Sequence, residues 1–361
     1  MWREFSVLLC SLLTVSAAFG GTECLTIDFD GDGSIGPGDL AVLLAQWGEP
    51  DSVADIDNDG TVGPGDLAAL LALWGEAGHA PGSFPAMWIN GGPNCPSQGG
   101  FEPPIQIHQF NDSMYILRQS LCTNFEAPFM YLLFGEDKVL LQDTGAGGIQ
   151  IGPAVYGIID DWLKANGKDS IDLIVTHSHG HGDHIQGDSQ FNGQPNTTVV
   201  GTSVAAVTSF FGFTDWPNDV VEYDLGGRIL DVIPIPGHHP SHIALYDRAT
   251  GILFTGDTLY PGRLYFPASL VNTYEASIQR LVDFTADKPV CHVLGTHIEM
   301  STTPGVDFPI GSTYHPNEHI LPLRRDHLLE LLDAVEAMLD DPFIDVHDDF
   351  IVYPLGLLPQ Q

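Results

Sequence analysis

From residue 105 onward the apolar positions fall into short blocks. The runs at 129–134 and 139–142 are almost wholly apolar, the pattern of strands covered on both faces. Helical spacing over 155–165 gives way to another strand-like run at 171–175, and a strand pair follows at 243–246 and 252–255. Over 325–339, Leu328, Leu329, Leu332, Val335 and Leu339 share one face and predict an amphipathic helix. Strands interleaved with helices imply an α/β layered domain over 105–345 with helices outside sheets, leaving 346–361 as a C-terminal tail.

Before residue 105 the pattern changes character. An apolar run at 7–15 follows Met1-Trp2-Arg3 and ends in Ser16-Ala17-Ala18. It is shorter than the roughly 20 residues a membrane span needs, so residues 1–20 read as a secretory signal peptide cleaved near Ala18 or Gly20. The mature chain is then expected without a membrane span, and secreted to an extracellular, cell-surface or periplasmic location. Cys10 leaves with the signal, and Cys24, Cys95, Cys122 and Cys291 remain. Export permits disulfides. Cys95 with Cys122 is the pairing favoured by their polar, loop-like surroundings, while Cys291, after a strand-like entry, reads as a buried thiol. Residues 77–104, rich in Gly, Pro, Asn and Ser, read as a linker or an arm laid over a neighbour.

A chain of 361 residues suggests two or three domains. Its formal net charge is -35, with no Lys or Arg between Arg3 and Arg118. Such a surface repels nucleic acid, which is dropped as a partner, and leaves a small molecule as the expected substrate.

Two copies of one segment stand near the N-terminus. Asp28-Phe29-Asp30-Gly31-Asp32-Gly33-Ser34 through Asp39-Leu40 returns as Asp55-Ile56-Asp57-Asn58-Asp59-Gly60-Thr61 through Asp66-Leu67, and each copy runs into an apolar helix ending in Trp47-Gly48 or Trp74-Gly75. An EF-hand loop needs oxygen ligands at its first, third, fifth and twelfth places and a glycine at the sixth. Asp28, Asp30, Asp32 and Asp39 fill them in the first loop, and Asp55, Asp57, Asp59 and Asp66 in the second, with Ser34 and Thr61 placed to offer main-chain carbonyls. Two calcium ions are expected, and folding of 22–76 should depend on them, since four carboxylates per loop repel one another. The Asp at the twelfth place and the single helix per loop resemble a dockerin. That resemblance implies a small α-helical domain and a cohesin-like protein partner, with polysaccharide catabolism as its usual setting.

The richest chemistry follows the run at 171–175. It ends in Thr176-His177-Ser178-His179-Gly180-His181-Gly182-Asp183-His184, a His-x-His-x-Asp-His pattern at a strand end. Further on come Pro236-Gly237-His238, Phe254-Thr255-Gly256-Asp257 and Leu294-Gly295-Thr296-His297, and earlier Leu141-Gln142-Asp143-Thr144-Gly145. In type and order these resemble the metallo-β-lactamase superfamily over about 105–340. The resemblance implies a four-layer αββα sandwich with two metal ions. His179, His181 and His238 hold one, Asp183, His184 and His297 the other, and Asp257 bridges them. His177 is an extra histidine, and His239, His242 and His292 are expected in packing or supporting roles. Nitrogen and carboxylate donors suit zinc, and iron or manganese fits the same set. Two such cations would acidify a shared water into a bridging hydroxide nucleophile, which Asp183 could orient.

The bridging Asp257 points away from antibiotic hydrolysis. In carrying it the chain resembles hydroxyacylglutathione hydrolases and acyl-homoserine lactonases, and in the lactonases a tyrosine placed like Tyr260 assists the substrate carbonyl; packing under the metal loop is the equal alternative for Tyr260. Arg263, Tyr265, His315 and His319 are candidates for a substrate wall. The leading expectation is an exported hydrolase of a small ester, thioester or lactone with a calcium-dependent docking module. Its rivals are a calcium-dependent interaction protein on a non-catalytic scaffold, and a diiron redox enzyme.

Overall fold

The computed structural model describes residues 27–30, 34–50, 52–57, 59–75, 79, 81–95 and 102–357. The expected signal peptide, Cys24, Gly31, Asp32 and Gly33 lie outside them. The chain divides into two compact units, one comprising residues 1–81 with 248–251 and 283–291, the other the remainder.

In the first unit the sequence repeat is also a structural repeat. Helices α1 (Pro37–Ala45) and α2 (Pro64–Ala72) each begin with Pro, whose fixed φ and missing N–H suit a first helical position. Each is capped by its own aspartate: Asp39 Oδ2 accepts from Gly36 N, and Asp66 Oδ2 from Gly63 N, both at 2.6 Å. The copies exchange main-chain bonds, Gly48 N to Val62 O and Gly75 N to Ile35 O, both 2.8 Å. Ile27, Ile35, Leu43, Ala54, Val62 and Leu70 close a small apolar core between them.

The second unit is a sandwich. Strands β1 (Ile105–Asn111), β2 (Met114–Gln119), β3 (Phe129–Phe134), β4 (Lys138–Gln142), β5 (Asp172–Thr176) and β6 (Thr197–Val199) form one sheet in chain order, antiparallel as far as β4 and parallel from β4 to β6. The other sheet runs β12 (His292–Gly295), β10 (Ile252–Gly256), β9 (Ile243–Asp247), β8 (Ile229–Pro234) and β7 (Val221–Asp224). Period-two alternation sends Met114, Ile116, Phe129, Tyr131 and Leu133 inward against Leu230, Val232, Leu245 and Phe254 of the facing sheet. The opposite face of the first sheet, with Leu117, Leu132, Leu141 and Leu173, is covered by Val155, Ile158 and Ile159 of α3 (Ile151–Asn166).

Against the second sheet lies α6 (Val271–Phe284). Ser277 Oγ donates to the carbonyl of Pro236, Arg280 to that of Pro234 at 3.0 Å, and the Tyr274 ring stacks on Phe266 at 4.3 Å. The helix–sheet–sheet–helix order matches the expectation. Two shorter helices, α4 (Gly182–Ile185) and α5 (Val204–Phe211), follow β5 and β6, and α7 (Arg325–Glu336) buries Leu328, Leu331, Leu332 and Val335.

Three expectations are corrected. Residues assigned to a tail form a strand, β14 (Ile351–Leu355), lying parallel to β11 (Arg263–Pro267) with β13 (Asp345–Val346) on its other side. Its Ile351-Val352-Tyr353 suits a sheet, but the pairing partner lies far away in sequence. Leu329 and Leu339 belong to the apolar face less than Leu331 does, which is wholly buried. Cys291 is disulfide-bonded rather than a free thiol. The Cys95–Cys122 bridge is formed, 27 residues apart. Part of the 77–104 stretch lies along the sheet edge: Ser83 N donates to Phe110 O at 3.0 Å, and the buried Trp88 sits edge-on to Phe129.

Candidate metal centre

Strand ends converge on one site. Asp143 follows β4, the turn carrying His179, His181, Asp183 and His184 follows β5, His238 follows β8, Asp257 follows β10 and His297 follows β12. Two glycines permit the approach. Gly237 has φ +146°, and a Cβ there would sit 2.7 Å from Tyr274 Cα; Gly256 has φ +53°, and its Cβ would sit 2.4 Å from His242 Nε2.

The donors form two groups. In the first, His179 Nε2 lies 2.9 Å from His181 Nδ1, and His238 Nε2 lies 3.1 Å and 2.9 Å from those two atoms. In the second, Asp183 Oδ2 lies 3.1 Å from His184 Nε2 and 3.3 Å from His297 Nε2. Asp257 reaches both: Oδ2 is 3.7 Å from His179 Nε2 and 3.5 Å from the Nε2 atoms of His238 and His184, while Oδ1 is 3.4 Å from His297 Nε2.

Outer contacts orient these rings. Asp143 Oδ2 lies 2.9 Å from His184 Nδ1, and the carbonyls of Glu126 and Tyr265 lie 2.8 Å and 2.5 Å from the Nδ1 atoms of His297 and His238. An acceptor at Nδ1 places the proton there and turns the Nε2 lone pair inward. Thr296 Oγ1 donates to Asp257 Oδ1.

The electrostatics call for positive charge. Burial would raise Asp257, but His184, His297 and His179 hold it well below the ordinary carboxylate range. Burial would lower His184, yet Asp257, Asp143 and Asp183 hold it well above the imidazole range. His179 is pushed well down by burial and by its neighbour His184, so it stands neutral as a donor. His184 Nε2 is buried without a hydrogen-bond partner. A buried nitrogen with no well-directed hydrogen bond, beside the Asp183 and Asp257 carboxylates and the His179 and His297 rings, is a fit for metal cations.

The remaining histidines take other places. His177 Nε2 lies 2.8 Å from Asp188 Oδ1, away from both donor groups. His239 Nδ1 lies 3.0 Å from Ser241 Oγ, and burial with the nearby His181 and His238 lowers it to about 4. His242 is fully buried beneath His179, and His292 packs against Phe84 and Phe110. Tyr260 is 2% exposed, and its hydroxyl donates to the carbonyl of Arg263. Of the two roles weighed for it, that placement favours packing.

The candidate wall divides. Arg263, Tyr265 and His315 line one cleft together with Glu126 and Glu299. His319 instead borders another with Trp88 and Ile320, and its Nε2 lies 2.8 Å from Asp349 Oδ1. Sequence reasoning had assigned no task to Asp143, Glu126 or Thr296. Asp143 and Thr296 had a signal in their places in the Asp-Thr-Gly turn and the Gly-Thr-His run, and Glu126 had none.

In the first unit Asp28, Asp30 and Asp39 bring carboxylate oxygens within 4.8 Å of one another, as do Asp55, Asp57 and Asp66. Asp59 Oδ1 lies outside the second trio, accepting from Thr61 N and Oγ1 at 3.0 and 3.2 Å, and Ser34 is exposed. Burial would raise Asp66, but N–H donors from Gly63, Asp57 and Ile56 lower it. A Cβ on Gly38 would fall 1.4 Å from Asp30 Oδ2, and one on Gly65 1.8 Å from Asp57 Oδ2, so each helix start is hollowed to admit a carboxylate.

Residues 123–297 match the metallo-beta-lactamase superfamily. A hydroxyacylglutathione hydrolase of Methylococcus capsulatus is 32% identical over 130 residues, 35% of this chain and 50% of that protein. One from Chelativorans sp. is 27% identical over 220 residues, 60% and 84% of the two chains. The acyl-coenzyme A thioesterase MBLAC2 of Bos taurus is 25% identical over 222 residues, 52% and 78%. The matched stretch, a little under half of the chain, is similar to that superfamily and holds all seven donors of the centre.

Proposed function

We propose that the chain is a dinuclear metal-dependent hydrolase of a small ester, thioester or lactone, with two zinc ions as its metals. The observation that carries this is Asp257, whose carboxylate stands between the His179–His181–His238 group and the Asp183–His184–His297 group. Bound there, a cation pair supplies an acidified water and a Lewis acid for the scissile carbonyl. The chain's own residues do the rest. Asp183, kept ionised by His184 and His297, is placed to orient the nucleophile and take its proton. His181, the exposed member of the first group, borders the approach for substrate. The buried Tyr260 hydroxyl, engaged with the Arg263 carbonyl, supports a packing role over one at the substrate. Relatives named for acyl–glutathione and acyl-coenzyme A hydrolysis favour a thioester among the three bond types.

Elemental analysis of the purified protein, followed by assay on ester, thioester and lactone panels, tests the reading. Two zinc equivalents with turnover that Asp257→Ala abolishes are expected. A metal-replete sample inactive on every panel member would overturn it, and two irons would favour redox chemistry.

The aspartate trios support a second part of the proposal, that residues 27–75 hold two calcium ions in a docking module. Leu44, Trp47, Leu71 and Trp74, in matching places of the two copies, are exposed as a surface for a cohesin-like partner. Export belongs to the same reading, supported by the Cys95–Cys122 bridge, which needs an oxidising compartment. No helix among the described residues is long and apolar enough to cross a membrane.

A further inference from the structure

Beside the centre, at its His297 end, lies the cleft lined by Phe125, Glu126, Arg263, Glu299 and Ile310 among others. It is tied to the donors on both sides. The Glu126 carbonyl accepts from His297, the Tyr265 carbonyl from His238, and Ile298 and Glu299 directly follow His297 in the chain. This wall is therefore the neighbouring surface along which one end of a substrate held at the metals would lie.

The charge of the wall is lopsided. Among the described residues Arg263 is the only Lys or Arg lining it, and each of its three guanidinium nitrogens is engaged. Nη2 lies 2.6 Å from Glu299 Oε1, Nη1 donates to Asp307 and to the Phe308 carbonyl at 2.8 Å, and Nε donates to the Tyr265 hydroxyl at 2.7 Å. The side chain is 6% exposed. His315, the other basic side chain there, lies 3.1 Å from Glu318 Oε1 and stacks on Phe308. Two carboxylates, on Glu299 and Asp307, thus hold the guanidinium, Glu126 adds a further carboxylate to the lining, and among the described residues no unengaged Lys or Arg lines the cleft for an anionic ligand. The rim is apolar instead: Phe125 is 44% and Ile310 69% exposed. Around it lies a chain of net charge -35.

Coenzyme A and glutathione are anions, and a site that binds either stably needs Lys or Arg aimed at phosphate or carboxylate. This cleft presents the opposite sign, so such carriers meet like charge both on approach and in place. We propose that the cleft selects acyl substrates with an uncharged, partly apolar leaving group and rejects thioesters of coenzyme A and glutathione, with Glu126 as the discriminating side chain. This inference rests on the hydrolase reading, and it separates the chain from what its relatives are named for.

The test compares one short acyl chain carried on N-acetylcysteamine, on coenzyme A and on glutathione, using the full zinc-loaded protein. The uncharged thioester is expected to show kcat/KM at least about 10-fold above both anionic ones at low salt, and the coenzyme A gap is expected to narrow as salt screens the repulsion. Glu126→Lys, which leaves the main-chain carbonyl in place, should raise the coenzyme A value relative to the neutral one by about 10-fold. Equal or better turnover of either anionic thioester by the unaltered protein overturns the proposal. Calorimetry with the matching non-hydrolysable thioethers reads the same preference without catalysis. Absence of all turnover would then strike the hydrolase reading alone, while tight binding of the coenzyme A thioether would strike this one.

Discussion

Asp143 grips His184 out of reach of water: Oδ2 lies 2.9 Å from Nδ1, and neither side chain has exposed surface. The other oxygen, Oδ1, accepts from Ser178 N at 2.7 Å, so one carboxylate fixes both the entry to the metal turn and the direction of a donor ring. Asp143 itself sits at φ +69°, a conformation costly for a residue with a side chain and tolerated best by Asn, Asp and Gly. Asp143→Asn keeps that backbone but weakens the hold on His184. Zinc affinity at the second site is expected to fall about 10- to 100-fold, with the first site less affected. Competition titration with a chromophoric chelator measures it, and an unchanged affinity at the second site would reduce the pair to packing.

Tyr260 gives a prediction of the opposite kind. Its hydroxyl donates to the Arg263 carbonyl, and its ring lies 5.4 Å from that of His297. Tyr260→Phe removes one buried hydrogen bond and keeps the ring, so a stability loss of about 1 kcal/mol is expected, with kcat/KM close to that of the unaltered enzyme. A hundredfold loss of turnover at unchanged stability would return the hydroxyl to the substrate.

These two residues show where the sequence is legible. His179, His181, Asp183 and His184 lie within six positions, and their spacing on a turn after a strand brings them together almost by local geometry. His238, Asp257 and His297 are separated in the chain, yet each follows a strand, and a sandwich gathers strand ends. Asp143 touches His184 across 41 residues, and nothing local at either position announces the bond. The direction of the Tyr260 hydroxyl depends on where β11 passes, and β11 is itself held by β14 from the far end of the chain. Residues 351–355 read as a tail because a short apolar run predicts a strand only when a partner edge is known.

The pairing of Arg118 with Glu318 is equally illegible, since it spans 200 residues. The side chains are 1% and 7% exposed, the bond is two-pronged, and the guanidinium lies over the Phe129 ring at 4.8 Å. Removing one partner leaves the other charge buried without compensation, which costs about 3–5 kcal/mol. Glu318→Gln should therefore shift the urea midpoint strongly. The loop carrying His315 should loosen with it, because Glu318 is also the neighbour of His315 Nδ1. A shift of less than about 1 kcal/mol would mean that water enters and solvates Arg118.

The calcium loops offer the sharpest separation of local from global effects. Asp39 and Asp66 are buried, and each already accepts main-chain N–H bonds at the start of its own helix, so each is a helix cap as well as an expected ligand. A cap alone is worth about 1 kcal/mol. A ligand is worth the binding energy of the ion, about 4 kcal/mol when calcium stands at 1,000 times its dissociation constant. The full chain should bind two calcium ions by calorimetry, and Asp39→Asn and Asp66→Asn should each remove one. Each substitution keeps an oxygen for the N–H bonds, so stability in chelator should change little while the gain on adding calcium is lost. If instead the variants lose stability equally with and without calcium, the aspartates serve as caps only.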